Sequence, residues 1–274
     1  MAGVVRLVTG HDGTRIAVRE SGDPANPPVV LVHGWAQSGA VWDGQARALA
    51  ADFHVLAPEL RGHGASEDPG SGYGDSAAWA GDLAAVLALN ERPATVVGWS
   101  YGGLVLTDYL REHGDDRLAG LVLVGALTEI GRGRPGGTVG EAMRAALPAV
   151  LDEDPALAIP ALVALVEGMT AEPAPGPDVQ RRVGAALAVA PAVRRALFAR
   201  TVDSAQVLDK VRKPAVVVHG TADAVVAPAA AEYAAGKIPG AVARWLPGVG
   251  HQPFTERADL FTDLVRALAG GRKE

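Results

Sequence analysis

The chain of 274 residues contains no cysteine. Disulfides, thiolate catalysis, zinc ribbons and cysteine-held iron–sulfur clusters are therefore excluded. An excess of positive charge is also missing. The formal net charge is −6, and no basic run interleaves with aromatic residues, so a general polyanion binder is excluded and nucleic acid is not an expected partner. No apolar run is long enough to span a bilayer: Leu118–Leu127 and Ala156–Val166 are too short, and Pro160 interrupts the second. Between Met1 and Arg15 no basic region precedes an apolar core, so neither a signal peptide nor a membrane partner is expected, and a cytoplasmic location is. Walker and Rossmann glycine patterns are absent, which implies no nucleotide cofactor. His11, His54 and His113 show no mutual spacing that suggests a metal site. No cofactor or metal is expected, and nothing in the pattern selects a monomer over a homo-oligomer.

What the chain does have is a globular balance, 49% hydrophobic and 20% charged, at a length that suits one large α/β domain with an insertion. Thr14–Glu20 alternates like an early antiparallel strand. Val29–Val32, His54–Ala57, Thr95–Val97 and Leu121–Val124 are compact apolar runs of the kind buried on both faces in a parallel sheet. Between them, Trp42–Ala51, Ser76–Leu89 and Leu104–His113 read as amphipathic helices, with Ser76 as a cap and Gly114 as a stop. After Val124 the rhythm breaks. Residues 128–205 hold no convincing strand but several Ala/Leu/Val-rich helical stretches, near Glu141–Leu151, Pro155–Met169 and Val179–Ala188, with Pro191 leading into another. Alternation returns with strands at Ala215–His219 and Ala241–Leu246 and helices near Pro228–Ile238 and Phe254–Leu268. The expected organisation is a core from 1–127 and 206–274, interrupted by a helical cap at 128–205 over the carboxyl edge of a mostly parallel sheet, where open α/β sheets bind ligands.

The strongest local signal is Gly98-Trp99-Ser100-Tyr101-Gly102, a G-x-S-x-G between a strand and a helix. Its glycines permit a sharp, strained turn that lifts a serine hydroxyl clear of the sheet edge. His33-Gly34-Trp35 follows another buried strand and offers a backbone N–H that, with the amide of Tyr101, can form an oxyanion hole. Asp223 follows the strand ending in His219-Gly220, and His251 follows Gly248-Val249-Gly250. Nucleophile, acid and base thus occur in the order Ser100, Asp223, His251, each at the end of a predicted strand. Glu129, after the strand that follows the nucleophile helix, is a competing position for the acid; Asp223 is preferred. Asp82, Asp108, Asp115 and Asp116 read as solvated acids.

With these stretches, and with Leu60-Arg61-Gly62-His63-Gly64-Ala65-Ser66, the whole chain resembles a capped α/β-hydrolase of the group containing small esterases, cofactor-free haloperoxidases (perhydrolases) and carbon–carbon bond hydrolases. The resemblance implies an α/β-hydrolase fold, with Trp35 and Tyr101 donating the oxyanion N–H groups and Asp223 holding His251. It assigns His63 and Arg61 to a structural loop, and His33 to bracing of the oxyanion loop. Glu59 departs from the pattern, since such proteins usually carry aspartate there.

Serine at the elbow, rather than aspartate, excludes haloalkane dehalogenase and epoxide hydrolase chemistry. The expected reaction is attack of Ser100 on a carbonyl and passage through an acyl-enzyme. An apolar cap containing Met143 and Met169, with Trp35 and Trp99 flanking the elbow, points to a small or medium apolar ester as substrate and to these four residues as pocket lining. Lactonase, carbon–carbon hydrolase, perhydrolase and acyltransferase reactions run on the same triad. A receptor-like binding protein with residual hydrolysis is the alternative from another class.

Overall fold

The computed structural model describes residues 4–270; residues 1–3, where the stretch read for a signal peptide begins, and 271–274 lie outside the described residues. In chain order the elements are β1 (Val4–Thr9), β2 (Arg15–Ser21), β3 (Pro28–Val32), α1 (Asp43–Leu49), β4 (His54–Pro58), α2 (Ser76–Leu87), β5 (Ala94–Trp99), α3 (Tyr101–His113) and β6 (Leu118–Val124). There follow α4 (Glu141–Val150), α5 (Pro155–Glu167), α6 (Gly176–Ala188), α7 (Pro191–Phe198) and α8 (Ala205–Leu208), and then β7 (Ala215–Gly220), α9 (Pro228–Lys237), β8 (Val242–Leu246), α10 (Pro253–Glu256) and α11 (Ala258–Ala269).

The strands form one sheet in the order β1-β2-β4-β3-β5-β6-β7-β8. β1 and β2 pair antiparallel, β2 joins β4 antiparallel, and the remaining neighbours run parallel. β3, β4 and β5 are buried at every position, as their unbroken apolar runs require when helices cover both faces of a sheet. From β3 the chain moves to β4 on one side and then crosses to β5 on the other. That reversal opens a crevice at the carboxyl ends of β3 and β5, the usual ligand position in an open α/β sheet.

Some elements differ from the sequence reading. β1 is an edge strand with Val4, Val5 and Leu7 exposed, so no buried face marks it in the sequence. α3 starts at Tyr101 rather than Leu104, because Gly102 and Gly103 form its first turn instead of a loop. The cap of α2 is Asp75, whose carboxylate accepts the Ala77 N–H at 2.9 Å, while Ser76 is the first helical residue. The last helix is two, broken at Arg257.

Between β6 and β7 the described segment holds a short 3-10 helix (Pro135–Gly137), five α-helices and no strand beyond isolated bridges. Its two ends are fastened together. Ile130 and Val202 bridge antiparallel, and the buried Glu129 carboxylate accepts N–H groups from Gly136 (3.1 Å) and Ser204 (3.1 Å) and the hydroxyl of Tyr233 (2.9 Å). Buried Arg200, just beyond α7, reaches into the core: it donates to Asp108 (2.8 Å), Ser76 Oγ (3.2 Å) and the Tyr101 hydroxyl (3.1 Å). Asp108 is wholly buried and Asp82 nearly so, paired with Arg200 and Arg61 respectively, which corrects the reading of both as solvated acids. Sequence spacing gave no sign of either partner because both lie at least twenty residues away. No helix among the described residues is long and apolar enough to cross a membrane.

Candidate active site

Ser100 sits between β5 and α3 with φ 54° and ψ −119°, outside the regions comfortable for a side-chain-bearing residue. Holding it there costs on the order of 1–3 kcal/mol, and the surroundings over-determine it. Its N–H donates to the Val124 carbonyl (3.0 Å), and its carbonyl accepts from Gly103 (3.0 Å) and Leu127 (3.1 Å). A Cβ on Gly102 would stand 2.5 Å from the Val32 carbonyl oxygen, so only glycine lets the first turn of α3 lie against the end of β3. Tyr101 is the first residue of that helix, and its N–H has no acceptor within the helix.

The loop after β3 reaches the serine directly. A Cβ on Gly34 would be 2.9 Å from Ser100 Cβ and 3.4 Å from its Oγ, which puts the backbone leading into Trp35 against the hydroxyl. Two buried histidines hold this loop. His33 Nδ1 meets the Gly34 carbonyl (2.8 Å) while its Nε2 accepts from Leu60 N–H (3.0 Å). His63 Nδ1 meets the Arg61 carbonyl (2.9 Å) and its Nε2 accepts from Ala36 N–H (3.3 Å). Both rings must be neutral to fill these roles, and burial pushes His33 down to about 4 and, with the neighbouring His33, His63 down to about 3. Glu59, the departure noted in the sequence, accepts Gly39 N–H (2.8 Å) and Arg19 Nε (3.3 Å) and so ties the same loop to β2.

His251 and Asp223 meet at the carboxyl side of β7 and β8. His251 Nδ1 lies 2.8 Å from Asp223 Oδ2, while Oδ1 of the same carboxylate accepts the N–H groups of Val225 (2.8 Å) and Val226 (2.9 Å). Burial on its own raises the Asp223 pKa. The His251 charge and hydrogen bond, aided by His219 and the Val226 N–H, outweigh it and leave the carboxyl below its ordinary value. His219 stands 3.7 Å from Asp223 Oδ2, and its own pKa is lowered by burial. The His251 loop is joined to the elbow by Trp99, whose indole N–H donates to the His251 carbonyl (2.9 Å) and whose ring lies 5.3 Å from the imidazole. Trp99 packs edge-on against Trp42 and Phe254, within the core beneath this loop.

Glu129 takes part in no hydrogen bond with His251 among the described residues; its oxygens face Gly136, Ser204 and Tyr233 instead. Met169 faces the site through its backbone, accepting His251 N–H at 2.8 Å, and its sulfur accepts from Gln252 Nε2 at 3.3 Å. Met143 is buried in α4. Trp35 is buried, donates its indole N–H to the Arg194 carbonyl (3.1 Å) and meets the Phe198 ring edge-on at 5.3 Å. Sequence reasoning missed Glu256, whose carboxylate accepts from Gly250 N–H (3.0 Å) and from Ala171 N–H (2.9 Å), linking the turn after α5 to the residue before His251. One glutamate in a short helix carries no motif that would have revealed this.

The alpha/beta hydrolase fold family matches residues 27–258, most of the chain. The chain belongs to the α/β-hydrolase family. As a member, this α/β hydrolase is a hydrolytic enzyme. It is 33% identical, over 88% of its length and 98% of the relative's, to the pimeloyl-[acyl-carrier protein] methyl ester esterase of Aromatoleum aromaticum. The crystal structure of an esterase from Rhodococcus sp. ECU1013 shares 46% identity with this α/β hydrolase and superposes with a TM-score of 0.94, covering 97% of this chain and 98% of that one. Over a shorter stretch, 44% of each chain, it is 39% identical to a non-heme haloperoxidase of Rhodococcus erythropolis.

Proposed function

We propose that Ser100, His251 and Asp223 act as a Ser-His-Asp triad, and that this α/β hydrolase cleaves carboxylic esters of small or medium apolar substrates through an acyl-enzyme. The observation that carries the reading is the buried 2.8 Å contact between His251 Nδ1 and Asp223 Oδ2, linked by the Trp99 indole N–H on the His251 carbonyl to a serine held in a strained turn. Asp223 fixes the tautomer in which Nδ1 carries the proton and Nε2 is free to accept one. In the first step Ser100 Oγ attacks the ester carbonyl and its proton passes to His251 Nε2. The oxyanion is stabilised by the N–H groups of Trp35 and Tyr101. Collapse expels the alcohol, which takes the proton from His251. Water, deprotonated by the same nitrogen, then attacks the acyl carbon and restores Ser100. Asp223 stays ionised throughout, in keeping with its lowered pKa.

Residues 128–205 serve as the cap in this reading, with Trp35, Met143 and Met169 lining the acyl pocket. Trp99 lies deeper and seats the His251 loop. The esterases among the relatives support ester cleavage. The test is a panel of 4-nitrophenyl esters of increasing chain length, run beside lactones and β-diketones. Turnover highest on short and medium esters is expected. A lactone or β-diketone cleaved far faster than every ester would replace carboxylesterase by lactonase or carbon–carbon hydrolase.

A further inference from the structure

Four arginines are buried among the described residues: Arg61, Arg182, Arg194 and Arg200. Arg61 pairs with Asp82 (2.7 Å) and Arg200 with Asp108 (2.8 Å). Arg182 reaches Thr255 Oγ1 at 3.5 Å and has the charges of Asp178 and Glu256 nearby. Arg194 differs. It is 4% exposed, its Nε and Nη1 are enclosed without an acceptor, and its pKa is lowered by burial and by the adjacent Arg195, with no carboxylate opposing them. A cation buried without a counter-charge is strongly unfavourable unless something else completes it.

Its position indicates what that is. α7 lies directly on the elbow and the oxyanion loop. The Arg194 carbonyl accepts the Trp35 indole N–H, the Leu197 carbonyl accepts the Tyr101 hydroxyl (3.3 Å), and the Phe198 ring meets Trp35. Residues four apart on a helix share a face, which puts Arg194 on the same side of α7 as Phe198, whose ring meets Trp35. The neighbouring Arg195 points elsewhere, to the Leu151 carbonyl (3.2 Å) and the Glu153 carboxylate (2.5 Å).

We propose that Arg194 is the residue that recognises an anionic end of the substrate, and that the ester cleaved is a half-ester of a dicarboxylic acid. Its apolar chain lies under the cap and its free carboxylate meets the Arg194 guanidinium. The planar guanidinium suits a carboxylate, and the substrate supplies the counter-charge the fold omits. The inference rests on the esterase reading above.

The experiment compares kcat/KM for monomethyl adipate and methyl hexanoate, of matched chain length, followed by pH-stat. Wild-type protein is expected to favour the half-ester by about ten- to hundredfold, the range of a hydrogen bond to a charged group. In Arg194→Met that ratio falls to about one or below, whereas in Arg195→Met it keeps the wild-type value. A measurement that needs no variant accompanies it: adipate should inhibit wild-type hydrolysis of methyl hexanoate competitively and more tightly than hexanoate does. If wild-type protein cleaves methyl hexanoate well with no preference for the half-ester, or if adipate and hexanoate inhibit equally, the Arg194 assignment is overturned and the esterase reading stands. Absence of turnover on every ester overturns both.

Discussion

Acid should loosen this protein through the two histidines that hold the loop after β3, and the size of the effect follows from their hydrogen bonds. His63 Nε2 accepts the Ala36 N–H, and a proton on that nitrogen would set two donors face to face. In the unfolded chain a histidine titrates near 6.5, whereas His63 is pushed down to about 3 and His33 to about 4 by burial. A folded pKa below the unfolded one means that the unfolded chain binds more protons across that interval. The stabilisation is therefore complete above pH 6.5 and declines as pH falls from 6.5 towards 4 and then 3. For a single histidine that stays neutral in the fold, the loss between pH 7 and 4.5 is about 2–3 kcal/mol. The perturbation is His63→Gln, which offers an oxygen to the Ala36 N–H but does not titrate. Urea denaturation followed by tryptophan fluorescence at half-unit steps from pH 7.5 to 4.5 provides the assay. The variant starts less stable at pH 7.5, but its stability should decline less steeply, by about 2–3 kcal/mol across the range. Parallel curves for wild type and variant would refute the argument, since they would mean that His63 takes up its proton without leaving the fold.

Three other substitutions test assignments that the sequence alone left in competition or did not reveal. Asp223→Asn should lower kcat by about 10³–10⁴, because an amide favours the wrong imidazole tautomer. Glu129→Gln should instead reduce stability by about 1–3 kcal/mol, since its oxygens serve three donors, and should change kcat only a few-fold; steady-state kinetics and thermal melts on both proteins decide, and the reverse pattern would transfer the acid to Glu129. Arg200→Met leaves the wholly buried Asp108 without its cation and should cost about 3–5 kcal/mol. Chemical denaturation measures this, and a loss below about 1 kcal/mol would show that the pair does not fasten the segment after α7 to α3.

The sheet was legible because β3, β5 and β6 are buried on both faces and their apolar runs stand out against glycine and polar flanks. β1 was not, because an exposed edge strand needs no buried side. The elbow was legible for a local reason: Ser100 lies in a turn whose geometry demands glycines at fixed offsets. Asp223 and His251 were proposed from their positions at strand ends, and the fold brings those two side chains within 2.8 Å of each other. Contacts made across long stretches of chain left no such trace. Glu256 bonded to Ala171, Arg200 to Asp108 and Trp99 to the His251 carbonyl join residues roughly 85 to 152 apart, and no periodicity encodes which of many acids or arginines finds which partner. The same holds for Arg194, whose isolation is visible only once every neighbour is placed.

The central claim is that Ser100 is an activated nucleophile, and covalent labelling tests it most directly. Wild-type protein is treated with a fluorophosphonate, and its intact mass is measured, followed by peptide mapping. A stoichiometric adduct on Ser100 is expected, together with loss of esterase activity in proportion to labelling. Ser100→Ala should acquire no adduct and should lose activity by roughly 10⁶ while melting as a folded protein. An unlabelled wild-type protein that still cleaves esters, an adduct on another residue, or a Ser100→Ala protein retaining more than about a tenth of the activity would contradict the account.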